Sequence, residues 1–107
     1  MIVAFETERL RTICEDPAVA VKALGASTAA NLRGRLADIR AATKIEDLLV
    51  GRPRLSGQSD EYLIISLGEE RNMVWTPNHV TARTMADGKT DWTRVTRVRL
   101  LRLEVRK

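Results

Sequence analysis

The sequence predicts an α+β domain, with helices packed on one face of an antiparallel sheet. Two observations carry that prediction. Helical patterns are gathered in the first 50 residues, where apolar side chains recur with a period near 3.6, and β-type runs are gathered after residue 60. The second is the run YLIISL (62–67), apolar on both alternating faces, as in a strand covered on two sides. A chain of 107 residues with 44% hydrophobic content suits a single domain spanning 1–107.

The elements follow in chain order. Residues 2–6, IVAFE, are short and partly β-branched, a first strand ending at Thr7, which suits a helix N-cap. Leu10, Ile13 and Cys14 then repeat at helical spacing. Asp16-Pro17 supplies a new N-cap followed by proline at the first helical position, so a second helix starts there and closes at Gly25. From Ser27 to Thr43, Ala29, Leu32, Leu36 and Ile39 share one face, with Asn31, Arg35, Asp38 and Arg40 turned away. Gly34 inside this helix costs about 1 kcal/mol against alanine, which hints at close packing against a neighbour.

Residues 45–51, IEDLLVG, read as a further helical turn or an ordered connector. GEERN (68–72) is a turn leading from YLIISL to MVWTP (73–77), a hairpin whose second strand ends at Pro77. Residues 78–94 form a long polar connection with a turn at Asp87-Gly88. The final run VTRVRLLRLEV alternates in two phases that change near Leu100, where a bulge would account for the slip.

Charge is unevenly placed. The first 50 residues carry seven acids and seven bases, so the net +4 belongs to the second half. Residues 92–107 hold Arg94, Arg97, Arg99, Arg102, Arg106 and Lys107 against Glu104 alone, a balance suited to an anionic partner such as nucleic acid or an acidic protein. No apolar run approaches the roughly 20 residues that cross a bilayer, and the start MIVAFETERL lacks the pattern of a signal peptide, so a soluble, cytoplasmic protein without membrane contact is expected. Cys14 and His79 are the only residues of their kinds, which excludes an internal disulfide and disfavours a zinc site. Cys14 reads as a core residue and His79 as a solvated loop residue. No phosphate loop, dinucleotide fingerprint or metalloprotease motif occurs, and neither metal nor cofactor is expected.

The stretch GRPRLSGQ (51–58) has two readings, a solvated connector or an anion site. Pro53 restricts the backbone between Arg52 and Arg54, and in an extended chain residues two apart project to the same side as a pair. Guanidinium forks of this kind stabilise charge on a phosphate without a metal, and RNA supplies its own nucleophile in the 2′-hydroxyl.

LRGRLADIRAAT (32–43), the pair YLIISL with MVWTP, and ADGKTDWTRVTRVRLLRLEV (86–105) together resemble the HigB-like toxins of the RelE/ParE superfamily of bacterial toxin–antitoxin systems. The resemblance runs from Ile2 to Val105, and its most specific part is DG-x-x-DW-x-x-V-x-x-V, ending at Val98. It implies two N-terminal helices on a small twisted antiparallel sheet. It also implies a metal-independent endoribonuclease that cuts mRNA on the ribosome and so inhibits translation. A cognate antitoxin, a small helix-turn-helix protein, would neutralise it and carry it to operator DNA. Carried over by position, the implied site comprises Arg52 and Arg54 before the hairpin, Arg71 stabilising phosphate charge, and Arg106 with Lys107 assisting.

Two positions depart from the family pattern. Arg71-Asn72 stands where an aromatic residue followed by arginine is usual, which turns the guanidinium to the opposite face of its strand. Val105-Arg106-Lys107 stands where many relatives end in Asp-Tyr-His. The alternatives are therefore a non-catalytic or retargeted member of the fold, for example a gyrase inhibitor, and a small basic RNA-binding module.

Overall fold

The computed structural model describes residues 1–105; Arg106 and Lys107 lie outside the described residues. Three helices precede most of a five-stranded sheet, an α+β arrangement. The first strand, β1 (Ile2–Phe5), leads to α1 (Glu8–Glu15), α2 (Pro17–Leu24) and α3 (Ala26–Ala41). Local chemistry sets these boundaries. Thr7 Oγ1 accepts the backbone N–H of Leu10 at 3.1 Å, and Asp16 Oδ1 accepts that of Ala18 at 3.0 Å, each satisfying an otherwise orphaned first-turn donor. Gly25, at φ +86°, closes α2 and admits the sharp redirection into α3.

A short 3₁₀ turn (Ile45–Asp47) follows α3, then β2 (Arg54–Ser56), β3 (Tyr62–Ser66), β4 (Arg71–Pro77) and, after a second 3₁₀ turn (Trp92–Arg94), β5 (Arg97–Val105). The order across the sheet is β1-β5-β4-β3-β2. All pairings are antiparallel except β1 with β5, where Ile2 faces Arg97 and Phe5 faces Leu100 in parallel. The sheet is therefore mixed, not purely antiparallel, and it carries the three helical segments that the residue patterns predict, where the resemblance implies two. The early break at Asp16-Pro17 divides the first helical hairpin arm into α1 and α2, because proline cannot continue the hydrogen-bond ladder from the preceding turn.

One core holds the layers together. Ala29, Leu32, Leu36 and Ile39 of α3 meet Leu63 and Ile65 of β3, Met73 and Trp75 of β4, and Val98 and Leu100 of β5. The strand residues alternate, so these side chains define the helix-covered face and their neighbours define the other. The phase change in β5 is a bulge: Val74 pairs with Arg102 but Trp75 pairs with Leu100, leaving Leu101 as the extra residue. Without that insertion Leu103 would turn away from the core it packs against.

Three local expectations change. Gly34 has no atom within 4 Å of a built Cβ, so it marks no close contact. Asn31 and Arg35 are not turned to solvent: Asn31 Nδ2 donates to the Leu67 carbonyl at 2.9 Å and Arg35 Nε to that of Ser66 at 3.3 Å, tying α3 to the end of β3. His79 is half-buried, and its Nε2 accepts the backbone N–H of Thr96 at 3.1 Å. No helix among the described residues is long and apolar enough to cross a membrane.

Candidate functional site

The face of the sheet that no helix covers carries most of the basic strand residues. Register places Arg54, Ile64, Val74 and Arg102 in one row across β2, β3, β4 and β5. Three steps between neighbouring strands separate the two arginines by about 14 Å. Beside this row Arg99 lies opposite Thr76 and Ala4, and Arg97 lies opposite Ile2. On the other side Ser66, Asn72 and Glu104 form a polar row. Tyr62, two residues from Ile64 along β3, shares the face by alternation.

Two of these cations are matched. Arg99 pairs with Glu6 at 2.9 Å, and Arg102 with Glu104 at 3.2 Å, both near solvent. Arg54 and Arg97 make no ion pair among the described residues. Ile64 and Val74 form a buried apolar centre between the charged ends of the row. Asn72 is buried beside it, and its Oδ1 has no hydrogen-bond partner among the described residues.

The residues singled out in the sequence are not one cluster. Arg52 sits at φ +50°, the left-handed region, so the chain is not extended there and Arg52 and Arg54 do not project as a pair. They line different clefts: Arg52 one with Arg35 and Ser66, Arg54 another with Ile45, Glu46 and Leu48. GRPRLSGQ is thus neither a plain connector nor a two-arginine clamp, because three of its residues form the edge strand β2. Arg71 begins β4 on the helix-covered side, where its Nη1 donates to the Leu103 carbonyl at 3.4 Å beside Thr7 and Leu10. The sheet therefore separates Arg71 from Arg54. Arg106 and Lys107 lie outside the described residues.

The net charge of the C-terminal stretch alone does not place Arg97, Arg99 and Arg102 on a face, so the row is not evident from it. The alternation in β5 and its bulge were the signals that could have placed them.

The groups best suited to nucleophilic or acid–base chemistry are otherwise engaged. Burial pushes the Cys14 thiol up to about 12, with Arg40 opposing that shift. His79 is held below its ordinary value, first by burial and then by the Arg83 and Arg97 guanidiniums. No group of three or more His, Cys, Asp or Glu side chains among the described residues is placed to hold a metal ion. The chain matches no family model, and it has no significant match to a curated protein or to a solved structure.

Proposed function

We propose that this chain binds RNA along the helix-free face of its sheet and acts as a ribosome-dependent mRNA endoribonuclease, the toxin of a toxin–antitoxin pair. The observation that supports this most is the row Arg54–Ile64–Val74–Arg102. With their backbones about 14 Å apart across the sheet, the two arginines suit a polyanionic strand that can meet both ends. The buried Ile64 and Val74 between them fix the strands that carry the two arginines, and the net charge of +4 favours approach.

In this reading Arg54 and Arg102 hold the backbone, and Arg97 and Arg99 extend the positive surface. The attacking 2′-hydroxyl comes from the RNA, so the protein's tasks are to bend the strand, offset charge on the phosphate and move protons. Tyr62 supplies a phenolic hydroxyl on this face, beside the aliphatic hydroxyls of Ser66 and Thr76. Arg106 and Lys107 follow directly after β5 and belong to the same proposal. Arg71, on the other side, takes no part.

A second reading, RNA binding without cleavage, is favoured by one observation: the lone histidine spends its Nε2 lone pair on the backbone of Thr96 and Arg97 and is withdrawn from proton transfer. Primer extension on a defined message in a purified translation system, with ribosomes omitted in parallel, separates the two. New ends confined to translated message, and lost in Arg54→Ala/Arg102→Ala, support the nuclease. Intact message with folded protein that still binds RNA rejects cleavage and keeps the binding module.

A further inference from the structure

A second site lies away from the RNA row, at the edge of the sheet beyond β2. A cleft of about 460 Å³ opens there between α3, the 51–52 segment and the end of β3, lined by Arg35, Gly51, Arg52, Ser66, Gly68 and Glu69. That volume falls in the range of small-molecule sites, and it is more than a lone phosphate needs.

The walls are built tightly. Ser66 donates its backbone N–H to the Gly51 carbonyl at 2.6 Å, and Arg35 Nε donates to the Ser66 carbonyl at 3.3 Å, which fixes that guanidinium at the wall. Gly51, at φ +92°, is packed so closely that a Cβ would lie 2.6 Å from Ile65 Cγ2 and 2.9 Å from Arg35 Nε. Arg52 then adopts φ +50°, a conformation that costs an ordinary residue about 1 kcal/mol and that persists only where the surroundings impose it. The outcome is that two guanidiniums from separate elements line one cleft. Glu69 lines it too, and no ion pair within 4.0 Å joins it to either arginine.

This combination limits the ligand. A carboxylate on the rim would repel a simple anion, so the cleft suits a molecule that is anionic at one end and a hydrogen-bond donor at the other. We infer that the cleft binds a ribose phosphate of the kind found in a ribonucleoside monophosphate, with the phosphate on Arg35 and Arg52 and the vicinal hydroxyls of the sugar on Glu69. Bidentate guanidinium–phosphate geometry and carboxylate acceptance from a sugar diol are both established modes of recognition. The assignment is independent of the RNA reading, since it uses no residue of the Arg54–Arg102 row.

The test is a titration followed by amide chemical shifts on the full chain, using AMP, dAMP and adenosine as probes. AMP should shift Gly51, Arg52, Gly68 and Glu69 saturably, dAMP should bind several-fold more weakly, and adenosine should leave these amides unmoved. Arg52→Gly is the informative variant, because glycine accepts the left-handed backbone while removing the guanidinium; it should weaken AMP about tenfold. Arg35→Lys keeps the charge, loses the fork and should also weaken AMP. Glu69→Gln should reduce the preference for AMP over dAMP. Absence of saturable shifts with AMP, equal binding of AMP and dAMP, or unchanged affinity in folded Arg52→Gly would each overturn the assignment.

Discussion

His79 and Thr96 are joined across the long connection before β5, the imidazole Nε2 accepting the Thr96 backbone N–H at 3.1 Å. The same nitrogen accepts from Arg97 at 3.3 Å, so one ring anchors the start of the strand. Only the neutral ring can do this, because a protonated Nε2 has no lone pair to offer.

A pH dependence follows from this contact. Burial, together with Arg83 and Arg97, lowers the folded-state pKa of His79 below its ordinary value of 6.5. The unfolded chain then binds the proton more readily, so the stabilisation is complete above about 6.5 and is lost as pH falls through the depressed folded value. Urea denaturation between pH 7.5 and 5 should show that decline. His79→Ala should flatten it and lower stability at pH 7.5 by about 1 kcal/mol. Asp47 adds a separate effect at lower pH: its carboxylate accepts the backbone N–H of Thr43 and Lys44, which holds its pKa below 3.8, and that contribution is lost as pH falls below this value.

Two glycines should respond in opposite directions. Gly51→Ala places a methyl against Ile65 and Arg35 at a positive φ, and should cost about 2–4 kcal/mol. Gly34→Ala meets nothing within 4 Å in the middle of α3 and should gain about 1 kcal/mol. Thermal unfolding of the two variants beside the parent measures both.

Asn72 is 5% exposed, and its Oδ1 is unpartnered among the described residues. Leaving such a group dry costs about 1–3 kcal/mol, so Asn72→Val, which also suits a strand, should raise stability by about 1 kcal/mol in urea denaturation. A loss of stability would show that the Asn72 amide is hydrogen-bonded in solution.

RNA affinity should depend on the helix-free face alone. Arg54→Ala and Arg102→Ala should each reduce the slope of log K against log salt for single-stranded RNA by about 0.7, the value for one phosphate contact. Arg71→Ala, on the opposite side, should leave the slope unchanged. Fluorescence anisotropy across a salt series reads all three.

Much of the fold was legible because its punctuation is local. Thr7 and Asp16-Pro17 mark helix starts by their own side-chain chemistry, and the apolar phases on either side of Leu100 disclosed the bulge before any pairing was known. The parallel partnership of β1 and β5 was not legible, since nothing near Ile2 indicates which distant strand will receive it. The site was less readable than the fold for a similar reason. Arg52 and Arg54 look paired if the chain is extended, but the positive φ at Arg52 is imposed by the packing of Gly51 against Ile65, a contact between segments far apart in sequence. Arg35 appeared solvent-facing by helical periodicity, which describes the α3 core stripe and not the sheet edge that crosses beneath the helix flank.

The central placement of β5 also sets a schedule. It follows every other described strand and is the partner of both β1 and β4, so on a translating ribosome β1 has no sheet to join until β5 has emerged. Such long-range pairing delays folding relative to the local helices. Arg97, Arg99 and Arg102 arrive on that same strand, so a nascent chain cannot assemble the arginine row before β5 has emerged.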